Sequence, residues 1–211
     1  MDFSGTNAVV TGASSGIGRA IAIALAQRGA DHLLIHYHSN ESGAQQTAHA
    51  VKANGARVTL HACDVGIAEE VQGLVDAAWQ SLGSVHSWVN NAGLDVLTGE
   101  AADWNFDTKL RRLLDVDVVG TIGVSRLAAE RMIQQNSQPP TSMTFIGWDQ
   151  ANLGMEGDAG QMFGPVKSAV MAFAASLAQT LAPTVRVNTV APGWIQTKWG
   201  ESTSDYWDGR A

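Results

Sequence analysis

The chain of 211 residues contains a single cysteine, Cys63, so no disulfide can form within it and nothing indicates an oxidising compartment. Basic residues are also scarce, with 13 Lys and Arg against 20 Asp and Glu and a net charge of −7. Because no basic stripe exists to displace counterions from phosphates, a nucleic-acid partner is not expected. Cys63 is interpreted as a small buried strand residue, with a reactive thiol as the alternative.

Long apolar runs are absent as well. The first five residues, MDFSG, show no basic region followed by an apolar stretch, so no signal peptide is expected. No apolar run reaches the ~18 residues that span a bilayer. With 45% apolar and 16% charged residues, the composition excludes a disordered chain and suits one domain with its own core. These properties predict a soluble cytoplasmic protein without a membrane partner, and no metal site is predicted.

Short β-branched runs alternate with longer helical patterns along the chain. This alternation indicates βαβ units and hence a parallel sheet covered on both faces. Right-handed crossovers make it a doubly wound, Rossmann-like α/β sheet, which binds ligands at the carboxyl ends of its strands. No repeat or domain boundary is visible, so residues 1–211 are predicted to form one domain. Strands are predicted over Asn7–Thr11, His32–Tyr37, Arg57–Ala62, Val85–Val89, Thr141–Ile146 and Val185–Val190, and helices over Ile17–Arg28, Glu41–Ala53, Ile67–Ser81, a stretch from about Asp103, Asp115–Gln135 and Gln161–Leu181.

Glycine is concentrated in the turn after the first predicted strand, at Gly12, Gly16 and Gly18. Glycines there let the backbone turn tightly, approach a pyrophosphate and pack the next helix against the strand. The helix that begins near Ile17 presents free N–H groups and a positive dipole end. The turn, which includes Ser14 and Ser15, therefore predicts a dinucleotide site, although such glycines also occur by chance in loops.

The pattern Thr-Gly-x-x-x-Gly-x-Gly resembles the short-chain dehydrogenase/reductase family, in particular its 3-oxoacyl-carrier-protein-reductase-like members. Three further motifs follow in the family's order and extend the resemblance over the whole chain: Asp64, with Val65 beside it, after the third strand, Asn90-Asn91-Ala92-Gly93 after the fourth, and Pro192-Gly193-x-Ile195-x-Thr197 after the sixth.

The resemblance implies a role for each of these motifs in a nicotinamide dinucleotide site. Asp64 matches the family aspartate that accepts from the adenine amino group, with a helix cap or turn residue as the alternative. The Asn-Asn-Ala-Gly motif shapes the cofactor wall, and the Pro-Gly segment contacts the nicotinamide carboxamide.

The end of the second predicted strand bears on the choice of cofactor. NAD-preferring enzymes usually place an acid there to hold the ribose 2′-hydroxyl. This strand ends His-Tyr-His-Ser-Asn, and no acid occurs before Glu41. Ser39 or Asn40 could donate to a 2′-phosphate, and Arg19 is the one basic residue nearby. The sequence therefore favours NADP, with NAD as the alternative.

The catalytic positions of the family are mostly replaced. In the family, a tyrosine four residues before a lysine protonates the substrate oxygen, a serine steadies that oxygen, and an asparagine relays protons through water. Here Lys167 is retained, whereas Phe163 stands at the tyrosine position, Trp148 at the serine position and Asp117 at the asparagine position. The lysine also hydrogen-bonds the nicotinamide ribose in the family, so Lys167 has a cofactor role without a tyrosine; a solvated surface lysine is the alternative.

Two side-chain interactions follow from this alignment. If Asp117 faces Lys167, the two form an ion pair in a partly desolvated site, which makes Lys167 a poor acid. Phe163 fills the volume of a tyrosine and is equally well interpreted as core packing. The two tyrosines of the chain, Tyr37 and Tyr206, lie far from this motif in the sequence.

Tryptophans and acids are expected around the substrate mouth. Aromatic faces and carboxylates together suit a cationic or aromatic ligand, although packing tryptophans and a solvated acidic loop explain the same pattern. The residues concerned are Trp148, Trp194, Trp199 and Trp207, with Asp149, Glu156 and Asp158.

Three functions are compatible with these residues. The first is an NADP-dependent oxidoreductase with altered proton delivery, acting on a carbonyl or on an iminium that needs no proton. The second is a catalytically inactive dinucleotide-binding sensor or partner subunit. The third is a lyase or isomerase with Asp117, Asp149 or Asp158 as base, which no spacing supports.

The resemblance also implies an assembly and a missing segment. Family members commonly pair through their two long helices, so a homodimer or homotetramer is expected. Those helices are expected to offer enough apolar surface for more than one face to be buried, through Leu127, Met132, Met171, Phe173 and Leu177. Family members also run several dozen residues further, so the resemblance implies a C-terminal segment that a sequence ending at Ala211 does not include, either because the protein is short or because the sequence is a shortened form of a longer one.

Overall fold

The computed structural model describes residues 2–135, 141–193, 195 and 197, which contain six strands and six α-helices. The strands are β1 (Asn7–Val10), β2 (His32–Tyr37), β3 (Arg57–Ala62), β4 (Ser87–Asn90), β5 (Thr141–Ile146) and β6 (Val185–Val190). The α-helices are α1 (Gly16–Gln27), α2 (Glu41–Ala53), α3 (Ala68–Leu82), α4 (Phe106–Leu113), α5 (Thr121–Gln134) and α6 (Gly157–Leu181), with a 3-10 turn at Gly99–Asp103 and a π-helical segment at Leu114–Gly120.

All six strands form one parallel sheet in the order β3-β2-β1-β4-β5-β6. Val9 is level with Leu34 on one side and with Trp88 on the other. Strand order reverses between β1 and β4, and ligands bind such sheets at the carboxyl ends beside this reversal. The predicted doubly wound parallel sheet is confirmed.

Both faces of the sheet are buried because β2 and its neighbours are apolar at consecutive positions. Leu33 and Ile35 pack with α1 and α2 on one face, whereas Leu34 packs on the other face with Leu74 of α3. Trp88 is fully buried on that second face and stacks on Trp79, with ring centroids 6.1 Å apart. Alternation of side chains across each strand thus divides the core into two layers.

The helix predicted to begin at Asp115 does not begin there. α4 starts at Phe106, where the Asn105 side chain accepts a hydrogen bond from the Thr108 amide at 2.9 Å. The chain then continues through the π-helical segment into α5, because neither proline nor glycine interrupts residues 106–119. A helix predicted in two parts is therefore continuous, with a wide turn in its middle.

Two other boundaries differ from the prediction by more than one residue. β4 begins at Ser87 rather than Val85, because the Gln135 side chain binds both the amide of Val85 (3.0 Å) and its carbonyl (2.7 Å). α6 begins at Gly157 rather than Gln161, with Asp158 in its first turn, where a negative charge is favourable.

Two of the apolar residues named for the pairing helices, Met132 and Leu177, face the core of the subunit. They are 1% and 8% exposed and belong to the core layer beneath α5 and α6. The outward surface of these helices includes Ile133, 46% exposed, and the exposed alanine Ala172.

A cleft of about 1000 Å³ lies between α1 and the nearby face of β4, β5 and β6. Its apolar wall includes Ile17 and Ile21 of α1, and its polar wall includes Thr144 and Asn188. No helix in the described ranges is long and apolar enough to span a membrane.

Candidate functional site

The turn after β1 and the segment after β4 approach so closely that side chains would not fit between them. Gly12 has φ +63°, and a Cβ atom there would lie 2.8 Å from the Cα of Ala92. A Cβ at Gly18 would overlap the Gly12 carbonyl oxygen and lie 2.5 Å from the Asn91 Nδ2. The glycines therefore allow the turn after β1 to pack directly against the segment after β4 at the strand reversal, where sheets of this kind have a crevice.

Side-chain hydrogen bonds hold the two walls of this crevice together. The Thr11 hydroxyl oxygen accepts from the amides of Asn91 and Ala92, both at 2.9 Å. In return, the Asn91 side-chain amide donates to the carbonyls of Thr11 (2.9 Å) and Gly12 (3.0 Å). The Asn-Asn-Ala-Gly segment is thus fastened to the glycine turn.

The N-terminus of α1 opens onto the same crevice. Ser15 precedes the helix in an extended conformation, its side chain makes no capping hydrogen bond, and the first turn contains no acid. The first amides of a helix have no intrahelical partner, so this end suits a phosphate. Thr197 lies near Gly16, where a Cβ would be 3.8 Å from its methyl group. The structure therefore brings Thr197 back to the turn.

Asp64 lies just after β3, beside a backbone donor, an arginine and a histidine. Its Oδ1 accepts from the Gly66 amide at 2.8 Å, and its Oδ2 lies 3.6 Å from Arg112 and 3.9 Å from His38. Asp64 thus stabilises the turn that follows β3, which was the alternative interpretation. Its side chain remains 14% exposed, which is compatible with the predicted contact to an adenine. The adjacent Val65 is buried.

The region after β2 contains hydrogen-bonding groups and a cation. Asn40 caps α2 by accepting from the Gly43 amide at 3.0 Å, and Ser39 is exposed. The Arg19 guanidinium donates to the carbonyls of Ser14 (2.6 Å) and Gly43 (3.1 Å), which joins the glycine turn to α2. A cleft of about 280 Å³ opens here, without a carboxylate in its lining: Ser15, Gly16, Arg19, Asn40, Ser42, Gly43, Gln46 and Thr197.

Asp117 and Lys167 form the ion pair that the alignment suggested, with Nζ and Oδ2 2.9 Å apart. Asp117 is 2% exposed, and its Oδ1 accepts from the Leu94 amide at 2.8 Å. A Cβ at Gly93 would lie 2.9 Å from the Asp117 Oδ2, so this glycine allows the carboxylate to approach the β4 segment. The pair lies beside the Asn-Asn-Ala-Gly wall.

The two positions expected for oxygen-handling groups hold aromatic residues. Phe163, one helical turn before Lys167, packs against a cluster that includes Val96, Leu113 and Val166. Trp148 is half-buried just after β5. Tyr37 is the one tyrosine in the described part of the chain and lies on β2, whereas Tyr206 falls outside it. No phenol from the described residues therefore accompanies Lys167.

The acidic loop contributes one carboxylate near the Pro-Gly segment. The Asp149 amide donates to the Pro192 carbonyl at 3.3 Å, and a Cβ at Gly193 would lie 3.0 Å from the Asp149 Oδ2. Glu156 and Asp158 lie instead at the start of α6. The predicted mouth residues Trp194, Trp199 and Trp207 lie outside the described residues.

Cys63 is buried, as predicted, and burial raises the pKa of its thiol to about 12. Because the thiolate is the reactive form, this cysteine is inert at neutral pH. Among the described residues, no group of three or more His, Cys, Asp or Glu side chains could hold a metal ion.

Comparison with known proteins places this geometry among related chains. A family described as short chain dehydrogenase matches residues 6–206. An uncharacterised oxidoreductase from Methylorubrum extorquens is 34% identical over 195 residues, which cover 92% of this chain and 75% of the relative. The 3-oxoacyl-[acyl-carrier-protein] reductase of Escherichia coli is 33% identical over 210 residues, covering 97% and 80%. The crystal structure of the Brucella melitensis 3-oxoacyl-[acyl-carrier protein] reductase in complex with NAD matches with a TM-score of 0.84 and 25% identity, covering 97% and 79%.

Removing one member of the Asp117–Lys167 pair is expected to destabilise the fold more than removing both charges. Lys167→Met leaves a buried carboxylate with one amide partner, which costs about 3 kcal/mol in the free energy of unfolding. Combining it with Asp117→Asn keeps an acceptor for the Leu94 amide without the charge, so the loss is smaller. Urea unfolding followed by circular dichroism at pH 7 measures both.

Lys52→Met, at an exposed lysine of α2, is the matched control and changes the free energy of unfolding by less than about 0.5 kcal/mol. A single variant Lys167→Met as stable as this control would show that the ion pair contributes no stability.

Proposed function

This chain belongs to the short-chain dehydrogenase family, and we propose that it binds a nicotinamide dinucleotide in the crevice between the ends of β1 and β4. The observation that supports this most directly is the backbone approach at Gly12 and Gly18, where any side chain would collide with the opposite wall. The uncapped N-terminus of α1 adds amides for a pyrophosphate.

In this proposal each predicted residue holds one part of the cofactor. The turn with Ser14, Ser15 and Ile17 holds the pyrophosphate, while Asp64 and Val65 border the adenine. Asn91, Ala92 and Gly93 form the wall, and Lys167 binds the nicotinamide ribose. The segment with Pro192, Gly193, Ile195 and Thr197 takes the carboxamide.

We propose NADP in preference to NAD. The small cleft beside the turn is lined by the Arg19 side chain, hydroxyls and amides, so a 2′-phosphate meets no repulsion there. Asp64, half-buried after β3, already faces Arg112 and His38. Ser39, exposed at the end of β2, is placed to donate.

The proposed activity is that of an oxidoreductase whose acceptor needs no proton from the protein. The bound dinucleotide would supply a hydride. Lys167 already donates to Asp117 at 2.9 Å, and an ammonium held by a carboxylate is a poor acid toward a substrate. An iminium carries its positive charge already, and Asp149 beside Pro192 and Gly193 suits a cation. The substrate class proposed is therefore a small cationic or aromatic molecule.

A second candidate is a catalytically inactive dinucleotide-binding sensor or partner subunit. It is favoured by Phe163, whose ring is part of an apolar cluster, and by Trp148 at the serine position. Both functions share the cofactor, so cofactor binding is tested first.

Titration with NADPH is expected to enhance reduced-nicotinamide fluorescence saturably, with weaker binding of NADH. Gly16→Val abolishes the enhancement, because Gly16 has φ +53° and a branched side chain also fills space needed by the pyrophosphate. The control is Gly73→Val on α3, where a Cβ meets no atom within 4 Å. No binding of either nucleotide at millimolar concentration would refute the proposal.

Ketone reduction by the unmodified protein is expected near or below detection, since a general acid contributes ~10²–10⁴-fold and an oxygen-stabilising donor ~10²–10³-fold. An iminium acceptor is affected far less. Phe163→Tyr with Trp148→Ser raises NADPH-dependent reduction of an activated diketone at least ~100-fold, and adding Asp117→Asn raises it further.

Steady-state NADPH consumption measures these rates with both acceptors. Phe106→Tyr is the control, because it places a phenol in the same apolar cluster but not at the catalytic position. Rapid ketone turnover by the unmodified protein would show that another residue donates the proton. No turnover of any acceptor, together with tight NADPH binding, would favour the inactive candidate.

A homodimer or homotetramer that pairs through α5 and α6 is also proposed. Light scattering at tens of micromolar is expected to give at least twice the mass of one chain. Ala172→Arg, on the exposed side of α6, lowers that mass by placing a charged chain in the contact. Ala53→Arg, at an exposed alanine of α2, leaves it unchanged. A monomer before any substitution would contradict the assembly.

A further inference from the structure

His36 is buried at the end of β2 with a hydrogen-bond partner on each side of its ring. It is 2% exposed. The Gly12 amide points at Nδ1 from 3.2 Å, and Nε2 lies 3.1 Å from the Cys63 carbonyl oxygen. An amide can only donate and a carbonyl can only accept, so Nδ1 is unprotonated and Nε2 carries the hydrogen. The two contacts therefore select one neutral tautomer.

These contacts join three strand ends that the chain separates by many residues. The His36 carbonyl also accepts from the Ala13 amide at 2.9 Å, so two consecutive amides of the glycine turn bind this one residue. On the other side, Cys63 directly precedes Asp64. A single buried side chain thus connects the glycine turn with the segment that carries Asp64.

The surroundings favour the neutral ring. Burial lowers the pKa of His36 to about 4, and the nearby His61 and His38 act in the same direction. The hydrogen bond with the Cys63 carbonyl and the carboxylate of Asp64 oppose this but do not prevail. The imidazole is therefore uncharged at neutral pH.

Building on the proposed cofactor site, we infer that His36 is a positioning residue for the dinucleotide. Its neutral imidazole fixes the Gly12 amide and so sets the shape of the turn that holds the pyrophosphate. His36 does not itself touch the cofactor in this arrangement. Its loss loosens the turn and weakens binding through Gly12.

The test compares three variants of the full chain. His36→Leu removes both ring contacts, whereas His36→Gln retains one acceptor and one donor. His32→Leu is the matched control, because His32 lies on the same strand, is 7% exposed and pairs with the Thr59 hydroxyl, away from the turn. Three quantities are measured: the NADPH dissociation constant, the hydrogen-exchange rate of the Gly12 amide, and the unfolding midpoint.

His36→Leu is expected to raise the dissociation constant about tenfold or more and to accelerate Gly12 exchange, because a buried amide loses its acceptor. His36→Gln is expected to restore most of the NADPH affinity and most of the protection of the Gly12 amide from exchange. His32→Leu changes neither quantity, whatever its effect on the unfolding midpoint, so a change in stability is distinguished from a positioning role. Unchanged Gly12 exchange and affinity in His36→Leu would overturn the inference.

One measurement does not depend on the variants folding or on cofactor binding. Nitrogen-15 chemical shifts of the unmodified protein are expected to show an unprotonated Nδ1 and a protonated Nε2 at His36. The opposite tautomer would overturn the inference directly. Failure of the unmodified protein to bind NADPH would instead refute the proposed function, and the tautomer and Gly12 exchange would still decide whether His36 positions the turn.

Discussion

A carboxylate removed from water must be matched by donors, and Asp117 meets that requirement with two. Lys167 reaches it from α6, and the Leu94 amide reaches it from the segment after β4. Three parts of the chain are therefore held at one point, and none can move without leaving a charge uncompensated. The same requirement restricts the chemistry, because the lysine that holds the carboxylate in place is committed to it.

The site consists of two halves with different character. Around Gly12 and Asn91, backbone and side chains are joined by several short hydrogen bonds, which gives a fixed shape to the half that we propose for the nucleotide. Phe163, one helical turn before Lys167, and Trp148, just after β5, are aromatic residues without hydroxyls. Hydroxyl groups can be absent around Lys167 without disturbing the half around Gly12 and Asn91, because that half is held together by contacts of its own.

Patterns formed by residues close together in the sequence predicted most of the fold. Alternating apolar runs gave the order and type of the elements, and the spacing of Phe163 and Lys167 placed both on α6. What sequence reasoning missed depends on side chains that bind distant backbone. Gln135 captures Val85 and delays β4, and His36 binds Gly12, yet neither leaves a periodic signal. Arg112 beside Asp64 was missed for the same reason, since the two are brought together by folding alone.

Whether Asp117 faces Lys167 depends on the number of residues in the π-helical segment Leu114–Gly120 as well as on the residue type at position 117. A π turn holds about one residue more than an α turn, and each helical residue advances the direction of its side chain by about 100°. Deleting one residue within it would restore a regular helix and carry Asp117 away from Lys167, even with the aspartate still present. If a related chain lacked one residue at this turn, an alignment without a gap would pair Asp117 with a residue that faces another direction. The residue equivalent to Asp117 would then have to be found by superimposing the two structures.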